Sequence, residues 1–485
     1  MTLTETSDGQ LLAGRAKAHY QAGYILHRKR ELAAALHEYR LALEVNPGLA
    51  AAHYNAAKAL QGLGRDDDAL AEYRGIAVGD PLFDVGRLDA GRLLLGLGRH
   101  DESIRAIEQS LASRPQCAEA YCALGAVFHA RGETDAALRH YRRALALDPE
   151  LRDARLNIGY IELLSGDFAR GWRDCEARWG SSQLAKREVP RPQWMGEPLQ
   201  GRTIAIHAEQ GLGDSIQFLR YVPIVAAAGG RVVLIAPKRL MRLAAEVPGI
   251  AALRTFGEAV PDFDWHCPLL SLPLAFGTTL ETIPAAVPYL SVPEQAKVAG
   301  EEICWARERL RVGLCWAGAP LLLRDRFRCR SIPFSLLKPL FGIGRVAWYS
   351  LQMGEAAAEV DRSGCAITDL SPYVGDMADT AAQIGHLDLV ITVDTSVAHL
   401  AGALGVATVV MLPFTHDWRW LREREDSPWY PTMRLIRQAT PGDWGPVIER
   451  ARRVLIERVA DFESGEPRNA SSARFATDRV PIRGT

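Results

Sequence analysis

The sequence predicts a helical solenoid followed by an α/β region of two lobes, and two observations support this fold class. Residues 13–180 repeat with a period of 34, which is typical of stacked helical hairpins. After residue 200, short apolar strands alternate with helices, and this alternation indicates parallel sheets. The strands form two series, in 201–293 and in 310–455, so we expect two Rossmann-like lobes that face a cleft.

The 34-residue period is carried by three kinds of residue. Prolines close helical stretches, glycines fall where each hairpin must turn, and small residues recur where paired helices approach. In that order they are Pro47, Pro81, Pro115 and Pro149; Gly64, Gly98, Gly132 and Gly166; and Gly23, Ala57, Gly91, Gly125 and Gly159. Tyr39, Tyr73, Ile107 and Tyr141 take the large position of the second helix. These positions resemble the tetratricopeptide repeat (TPR), which implies about four and a half hairpins.

A TPR array implies a concave groove that binds an extended peptide or a helix, and hence a protein partner. The alternative is that the repeats dimerise the protein or brace its second half. Ser103 and Ser110 replace the usual alanines, so we expect looser packing in the third repeat. Trp172 and Trp179 break the pattern and are expected to cap the open end of the solenoid.

Composition excludes several function classes. The 57 basic residues nearly balance the 58 acidic ones, which gives no electrostatic reason to expect nucleic acid or an anionic membrane as partner. No apolar run reaches the ~20 residues of a membrane span, and residues 1–10 do not resemble a signal peptide. The eight cysteines contain no C-x-x-C pair, so we expect reduced thiols, a cytoplasmic location and no bound metal.

The second half begins after an expected linker at 181–200. The first lobe is predicted to have strands at 203–207 and 231–236 and one helix at about 215–228, and a charged helical stretch at 294–310 joins the lobes. The second lobe is predicted to have strands near 312, 346, 387–393 and 406–412, and helices near 377–386 and 396–404 that precede Gly405. Residues 464–485 have the composition of a disordered tail.

The turn after the 387–393 strand is a candidate diphosphate site. Asp394 lies near the start of a helix whose first backbone N–H groups, together with the hydroxyls of Thr395 and Ser396, are suited to bind phosphate. His399 lies on the same face, where an imidazolium would add positive charge. Gly402 is expected to allow close packing of the helix. The alternative is an ordinary capped helix with a hydrogen-bonded histidine.

The turn after the first strand, E-Q-G-L-G-D, is a candidate catalytic turn. Gly211 and Gly213 permit close approach of a ligand to the backbone. Asp214 would begin the next helix and reach the cleft, where its carboxylate would act as a general base on an acceptor hydroxyl. The alternative is an aspartate that only caps the helix.

Together the two turns resemble the heptosyltransferase family of GT-B glycosyltransferases, glycosyltransferase family 9. The resemblance covers about 200–455 and implies that Asp214 is the base and that the sugar is transferred with inversion. It implies a nucleotide-diphospho-sugar as substrate, with no cofactor or metal. The donor-binding residues that we assign are Gly211, Gly213, Trp316, Arg330, Ser331, Asp394, Thr395, Ser396, His399 and Gly402. The family often has glycine where this chain has Ser396, and residues 319–323 (APLLL) replace its polar loop.

Arginines follow that loop, and Arg324, Arg326 and Arg328 are either donor ligands or a solvated basic loop. Two further segments are interpreted as structural. Asp262-Phe263-Asp264 is formally a D-x-D metal motif, but it lies away from the diphosphate turn. The segment 417–424 (DWRWLRER) could stack a base, although we expect it to pack.

The sequence therefore favours a glycosyltransferase that modifies a protein recruited by the TPR groove. A non-catalytic TPR scaffold with a degenerate glycosyltransferase domain is the main alternative. A third possibility is that the enzyme modifies a cell-surface glycan.

Overall fold

The computed structural model describes residues 3–182, 184, 189–318 and 330–465. The chain forms two compact units, Met1–Ala154 and Arg155–Thr485. This division lies upstream of the linker predicted at 181–200. Among the described helices, none combines the length and the apolar character needed to cross a bilayer.

The first unit is a series of antiparallel helical hairpins, as the period predicts. Its helices are α1 (Leu3–Arg28), α2 (Leu32–Val45), α3 (Ala50–Gly62), α4 (Asp66–Arg74), α5 (Phe83–Gly96), α6 (His100–Ser113), α7 (Ala118–Ala130) and α8 (Thr134–Leu147). The hairpins turn at Gly64, Gly98 and Gly132, whose φ angles of 72°, 72° and 79° favour glycine.

Small residues in the first helix of a hairpin contact large residues in the second. A Cβ built on Gly91 would lie 2.4 Å from Ile107, and one built on Gly125 would lie 2.6 Å from Tyr141. The predicted looseness of the third repeat is wrong for Ser103, because its hydroxyl is buried and donates to the Gly91 carbonyl at 2.6 Å. The hydrogen bond replaces the contact that an alanine methyl would make.

The second unit contains two parallel sheets. The first has the order β3-β2-β1-β4 and the second the order β10-β9-β8-β5-β6-β7. The strands are β1 (Thr203–His207), β2 (Arg231–Ala236), β3 (Ile250–Thr255), β4 (Trp265–Pro268), β5 (Leu310–Cys315), β6 (Val346–Ser350), β7 (Ile367–Asp369), β8 (Leu389–Val393), β9 (Thr408–Leu412) and β10 (Met433–Arg437). The prediction of two α/β lobes is confirmed.

Helices connect and cover these strands. They are α9 (Arg152–Leu164), which crosses the division between the units, α10 (Phe168–Cys175), α11 (Leu212–Phe218), α12 (Val222–Ala227), α13 (Met241–Ala245), α14 (Leu272–Ala275), α15 (Glu294–Glu301), α16 (Lys338–Phe341), α17 (Glu359–Ser363), α18 (Met377–Gly385), α19 (Ser396–Ala403) and α20 (Gly445–Glu463).

Two predicted helices are shorter than expected. The helix predicted at 215–228 is divided into α11, a 3₁₀ turn and α12, since Pro223 is tolerated only in the first turn of a new helix. The stretch predicted as helical over 294–310 ends at Glu301. Beyond it, Trp305 folds back, and its indole donates to the Gly300 carbonyl at 2.7 Å and stacks on His386.

The segment predicted as a linker is partly packed. Trp194 is buried, its backbone N–H donates to the His266 carbonyl at 2.8 Å, and its indole donates to the Glu197 carbonyl. Residues 189–200 are therefore a covering segment of the first lobe.

The two tryptophans predicted to cap the solenoid have other roles. Trp172 lies in the core of the second unit, where its indole donates to the Thr278 carbonyl at 2.9 Å and contacts Trp418 edge to face. Trp179 is half-buried and contacts His207. The prediction is wrong because the repeat pattern runs into helices whose apolar faces complete the α/β core.

Candidate active site

The turn between β1 and α11 carries the predicted base. Its left-handed residue is Gln210, with a φ of 58°, and Gly211 is extended at the N-cap of α11. Asp214 lies in the first helical turn, where its Oδ2 accepts a hydrogen bond from the Gly211 N–H at 2.8 Å. The side chain is partly exposed, at 18%. The carboxylate thus bonds the backbone at the start of the helix, but the N-cap residue is Gly211 and not Asp214, and the carboxylate remains accessible.

A buried ion pair holds the first residue of this turn in place. The Arg178 guanidinium donates to both carboxylate oxygens of Glu209, at 3.0 and 2.8 Å, and to Glu176 at 2.6 Å. The side chains of Arg178 and Glu209 are only 2% and 3% exposed. Burial raises the pKa of Glu209, whereas Arg178 opposes that rise. Glu209 is the first residue of the E-Q-G-L-G-D turn, so this pair fixes where the turn begins.

The predicted diphosphate turn follows β8 in the second lobe. Thr395 is the N-cap and Ser396 is the first residue of α19, while Asp394 precedes them at the end of the strand. Thr395 and Ser396 are partly exposed, and the Thr395 hydroxyl lies 3.3 Å from that of Thr392. The first backbone N–H groups of α19 therefore start beside two hydroxyls, the arrangement that binds anionic oxygens.

Arg330 and Ser331 are brought to this turn. The Arg330 guanidinium donates to the Asp394 carbonyl at 2.9 Å, and Ser331 Oγ accepts from the Gly318 N–H at 3.2 Å. A Cβ built on Gly318 would lie 2.5 Å from Arg330 Nε, so the glycine makes room for the guanidinium. A cationic side chain thus lies next to the start of α19.

The two turns meet between the lobes. A Cβ built on Gly213 would lie 2.7 Å from His399 Cδ2 and 3.6 Å from the Cα of Ser396. The residue preceding Asp214 therefore touches the first turns of α19. Sequence reasoning placed both turns at strand ends, and the structure places them in contact.

Comparison with known proteins finds repeats in the first part of the chain. Residues 16–48 match one family model described as tetratricopeptide repeat, and residues 88–151 and 130–171 match a second. The helical unit carries tetratricopeptide repeats. Over 336 residues the chain is 29% identical to Protein FlbA from Caulobacter vibrioides; the match covers 62% of this chain, which spans about half (54%) of that relative's length.

Two solved structures have partial similarity to the chain. A glycosyl transferase family 9 structure from Veillonella parvula covers 50% of this chain and 88% of its own, with a TM-score of 0.39 and 11% identity. A structure of pilF from Pseudomonas aeruginosa covers 36% of this chain and 79% of its own, with a TM-score of 0.32 and 18% identity.

His399 does not carry the charge that the sequence predicts. The ring is 4% exposed, stacks on Trp420, and its Nδ1 lies 2.9 Å from the Tyr430 hydroxyl. Burial, with the Arg419 charge next in importance, lowers the pKa of His399 to about 3. The prediction of an imidazolium is therefore wrong, because a neutral ring packs between the lobes.

Two other predicted donor ligands are buried in cores. The Trp316 indole is 1% exposed and packs edge to face on Phe334, with ring centroids 4.7 Å apart. Gly402 faces Tyr430, and a Cβ there would lie 2.4 Å from the ring. Side-chain contact with a donor is excluded for Trp316, and Gly402 serves helix packing.

The other candidates from the sequence are the loop arginines, the C-terminal tail and the D-x-D motif. Arg324, Arg326 and Arg328 lie outside the described residues, as do 466–485 of the predicted tail. Asp264 accepts a hydrogen bond from the Thr203 N–H at 2.8 Å, so one carboxylate of the D-x-D caps a strand. Within the described ranges, no group of three or more His, Cys, Asp or Glu residues is arranged to hold a metal.

Sequence reasoning missed Arg419. Trp418, Arg419 and Trp420 form a buried 3₁₀ turn, which confirms the predicted packing of this segment. The Arg419 guanidinium nevertheless reaches the first lobe, where it donates to Asp214 Oδ1 and to Gln217 Oε1. The signal was one arginine between two tryptophans, and no periodicity could show which carboxylate it meets.

Proposed function

We propose that the second unit is a glycosyltransferase that moves a sugar from a nucleotide-diphospho-sugar to a hydroxyl of a protein recruited by the TPR unit. The observation that supports this proposal is the contact between the Asp214 turn and the start of α19. Because the two turns belong to facing lobes, a donor held by one lies within reach of a base on the other.

The donor diphosphate is assigned to the second lobe. The N–H groups at the start of α19 and the hydroxyls of Thr395 and Ser396 would bind phosphate oxygens, and Arg330 would supply charge. With an arginine and a helix N-terminus in place, the proposed transfer requires no metal ion. The neutral His399 contributes packing instead of charge.

Asp214 is assigned as the base. Its carboxylate would accept the proton of the acceptor hydroxyl while that oxygen forms a bond to the anomeric carbon. The bond from that carbon to the diphosphate breaks, and the electron pair leaves with the nucleotide diphosphate. Attack from the face opposite the leaving group inverts the anomeric configuration.

The TPR unit is assigned to the acceptor protein. Its first two hairpins form a groove lined by Tyr24, His27, Arg28, Tyr54, Asn55 and Lys58. Aromatic and hydrogen-bonding side chains of this kind suit an extended peptide. The proposal includes a cytoplasmic location, since Cys175, Cys267 and Cys315 are buried thiols of the kind that a reducing compartment maintains.

Donor binding and transfer are tested separately. UDP-, GDP-, ADP- and CMP-sugars are added to the full chain and its melting temperature is recorded. We expect one of them to raise it and to support transfer. Asp214→Asn should keep the thermal shift and lose transfer, while Asp262→Asn, an exposed aspartate of the same lobe, should keep both. The absence of any shift or transfer with every donor would refute the proposal.

A second function is favoured by one observation. Both carboxylate oxygens of Asp214 are bonded to protein groups, which suits a structural aspartate in a sugar-nucleotide-binding scaffold. A donor-induced thermal shift that is accompanied by no transfer, and is unchanged in Asp214→Asn, would select the scaffold.

A further inference from the structure

We infer that Arg419 is a positioning residue that aligns Asp214 from the opposite lobe, so that the base is in place only while the lobes are together. This inference rests on the proposed function. Arg419 comes from the 3₁₀ turn after β9, and Asp214 from the helix after β1.

Arg419 is held firmly. Its Nε donates to Gln217 at 2.5 Å, one terminal nitrogen donates to Asp417 at 2.7 Å and the other donates to Asp214. Its guanidinium also lies 4.4 Å from the centre of the Trp418 ring. Burial alone would lower the pKa of Arg419, but neighbouring carboxylates, Asp214 foremost, raise it above its ordinary value. The Arg419 guanidinium therefore stays charged, and its contacts fix its orientation.

The two donors to Asp214 orient the carboxylate and leave a lone pair on each of its oxygens. Oδ2 accepts from Gly211 and Oδ1 accepts from Arg419, which fixes the plane of the group. An ionised carboxylate offers about four lone-pair sites, so each oxygen retains one for the acceptor's proton. The arrangement is that of an oriented base, in which the orienting group does not itself take the proton.

The alignment depends on closure because the two donors come from different lobes. Gly211 belongs to the same turn as Asp214, whereas Arg419 does not. Separation of the lobes would remove the Arg419 bond and leave the Gly211 bond intact. A second bridge, from Arg242 on α13 to Asp376 and Asp379 at the start of α18, joins the same lobes without touching Asp214. Arg242 therefore provides a matched control.

The first test uses no substrate. Urea unfolding midpoints are measured for Arg419→Gln and Arg242→Gln, each in the wild-type and the Asp214→Asn background. We expect Arg419→Gln to lower the midpoint more in the wild type than in Asp214→Asn, because its partner is already neutral there. Arg242→Gln should lower it equally in both. Equal effects of Arg419→Gln in the two backgrounds would overturn the inference.

The second test uses the donor that supports transfer. A misplaced base lowers kcat by about 100-fold, and we expect that loss in Arg419→Gln with a nearly unchanged KM for the donor. Arg419→Lys, which keeps the charge and loses the fork, should recover part of kcat, and Arg242→Gln should keep it. A wild-type kcat in Arg419→Gln would refute the positioning role of Arg419 and leave the proposed function standing. If the wild type transfers no sugar, the proposed function fails, and the inference that rests on it fails with it.

Discussion

Replacement of Arg178 by methionine should destabilise the second unit severely. The substitution keeps a long apolar side chain but leaves Glu209, whose side chain is 3% exposed, without its bidentate partner. Two charges about 4 Å apart at an effective dielectric constant near 20 attract by about 4 kcal/mol. Removing one partner of a buried pair costs about 3–5 kcal/mol. Both routes give a loss of about 4 kcal/mol in the free energy of unfolding.

Tryptophan fluorescence reports this loss selectively. All 11 tryptophans lie after Ala154, so the urea transition of the indole signal follows the second unit. Arg170→Met is the control, since its pair with Asp167 is 74% exposed on the arginine side and is worth at most about 1 kcal/mol. The double variant Arg178→Met/Glu209→Gln should be more stable than Arg178→Met, because it no longer buries an uncompensated charge.

The loss should also depend on pH in a fixed direction. Burial already raises the pKa of Glu209 above its ordinary 4.5, and without Arg178 the rise is larger. A carboxyl group with a raised pKa binds its proton more readily in the folded chain, so stability increases as the pH falls toward 4.5. The penalty of Arg178→Met should therefore shrink between about pH 8 and that value. An equal penalty across this range, or one no larger than that of Arg170→Met, would refute the reasoning.

Three further predictions concern contacts of the second unit. Gly213→Ala should cost about 1–3 kcal/mol by overpacking against His399 and weaken the donor-induced thermal shift, whereas Gly344→Ala, with no atom within 4 Å of its Cβ, should change neither. Donor affinity, measured by calorimetry between about pH 5 and 8, should show no step from His399, whose pKa is about 3; a step that His399→Gln removes would contradict its burial as a neutral ring. Trp172→Ala should lower the free energy of unfolding by about 3–5 kcal/mol in urea, and Trp172→Phe by only about 1 kcal/mol for the lost bond to Thr278; equal losses would show that the indole N–H, and not the ring, stabilises the core.

The features predicted best from the sequence are those with local causes. The hairpins follow from spacing alone, because a small helix residue recurs in every repeat and a turn glycine recurs in every repeat after the first, where Arg30 takes that position with a φ of 64°. The ends of β1 and β8 follow from apolar runs that stop at glycine-rich or hydroxyl-rich turns. Asp214 and Ser396 could be named because each follows such a strand.

The features predicted poorly depend on partners distant in the chain. The sequence predicted a charged His399, but in the folded chain its ring stacks on Trp420 and lies beside the Tyr430 hydroxyl. Trp316 follows a strand that runs toward the site, but its indole turns into the core against Phe334. Arg419 is separated from Asp214 by 205 residues, and no local pattern specifies that contact.

The place where the chain divides has a consequence for engineering its repeats. The repeat pattern continues through Gly166, yet the compact first unit ends at Ala154, within α9. Leu156, Leu163 and Trp172 belong instead to the apolar core that contains Ile204 of β1. We therefore expect an engineered chimera to tolerate exchange of hairpins up to about α8. The last hairpin, α9 and α10, must be kept together with the sheet that contains β1. The boundary of the compact first unit thus lies about one hairpin before the end of the repeat pattern.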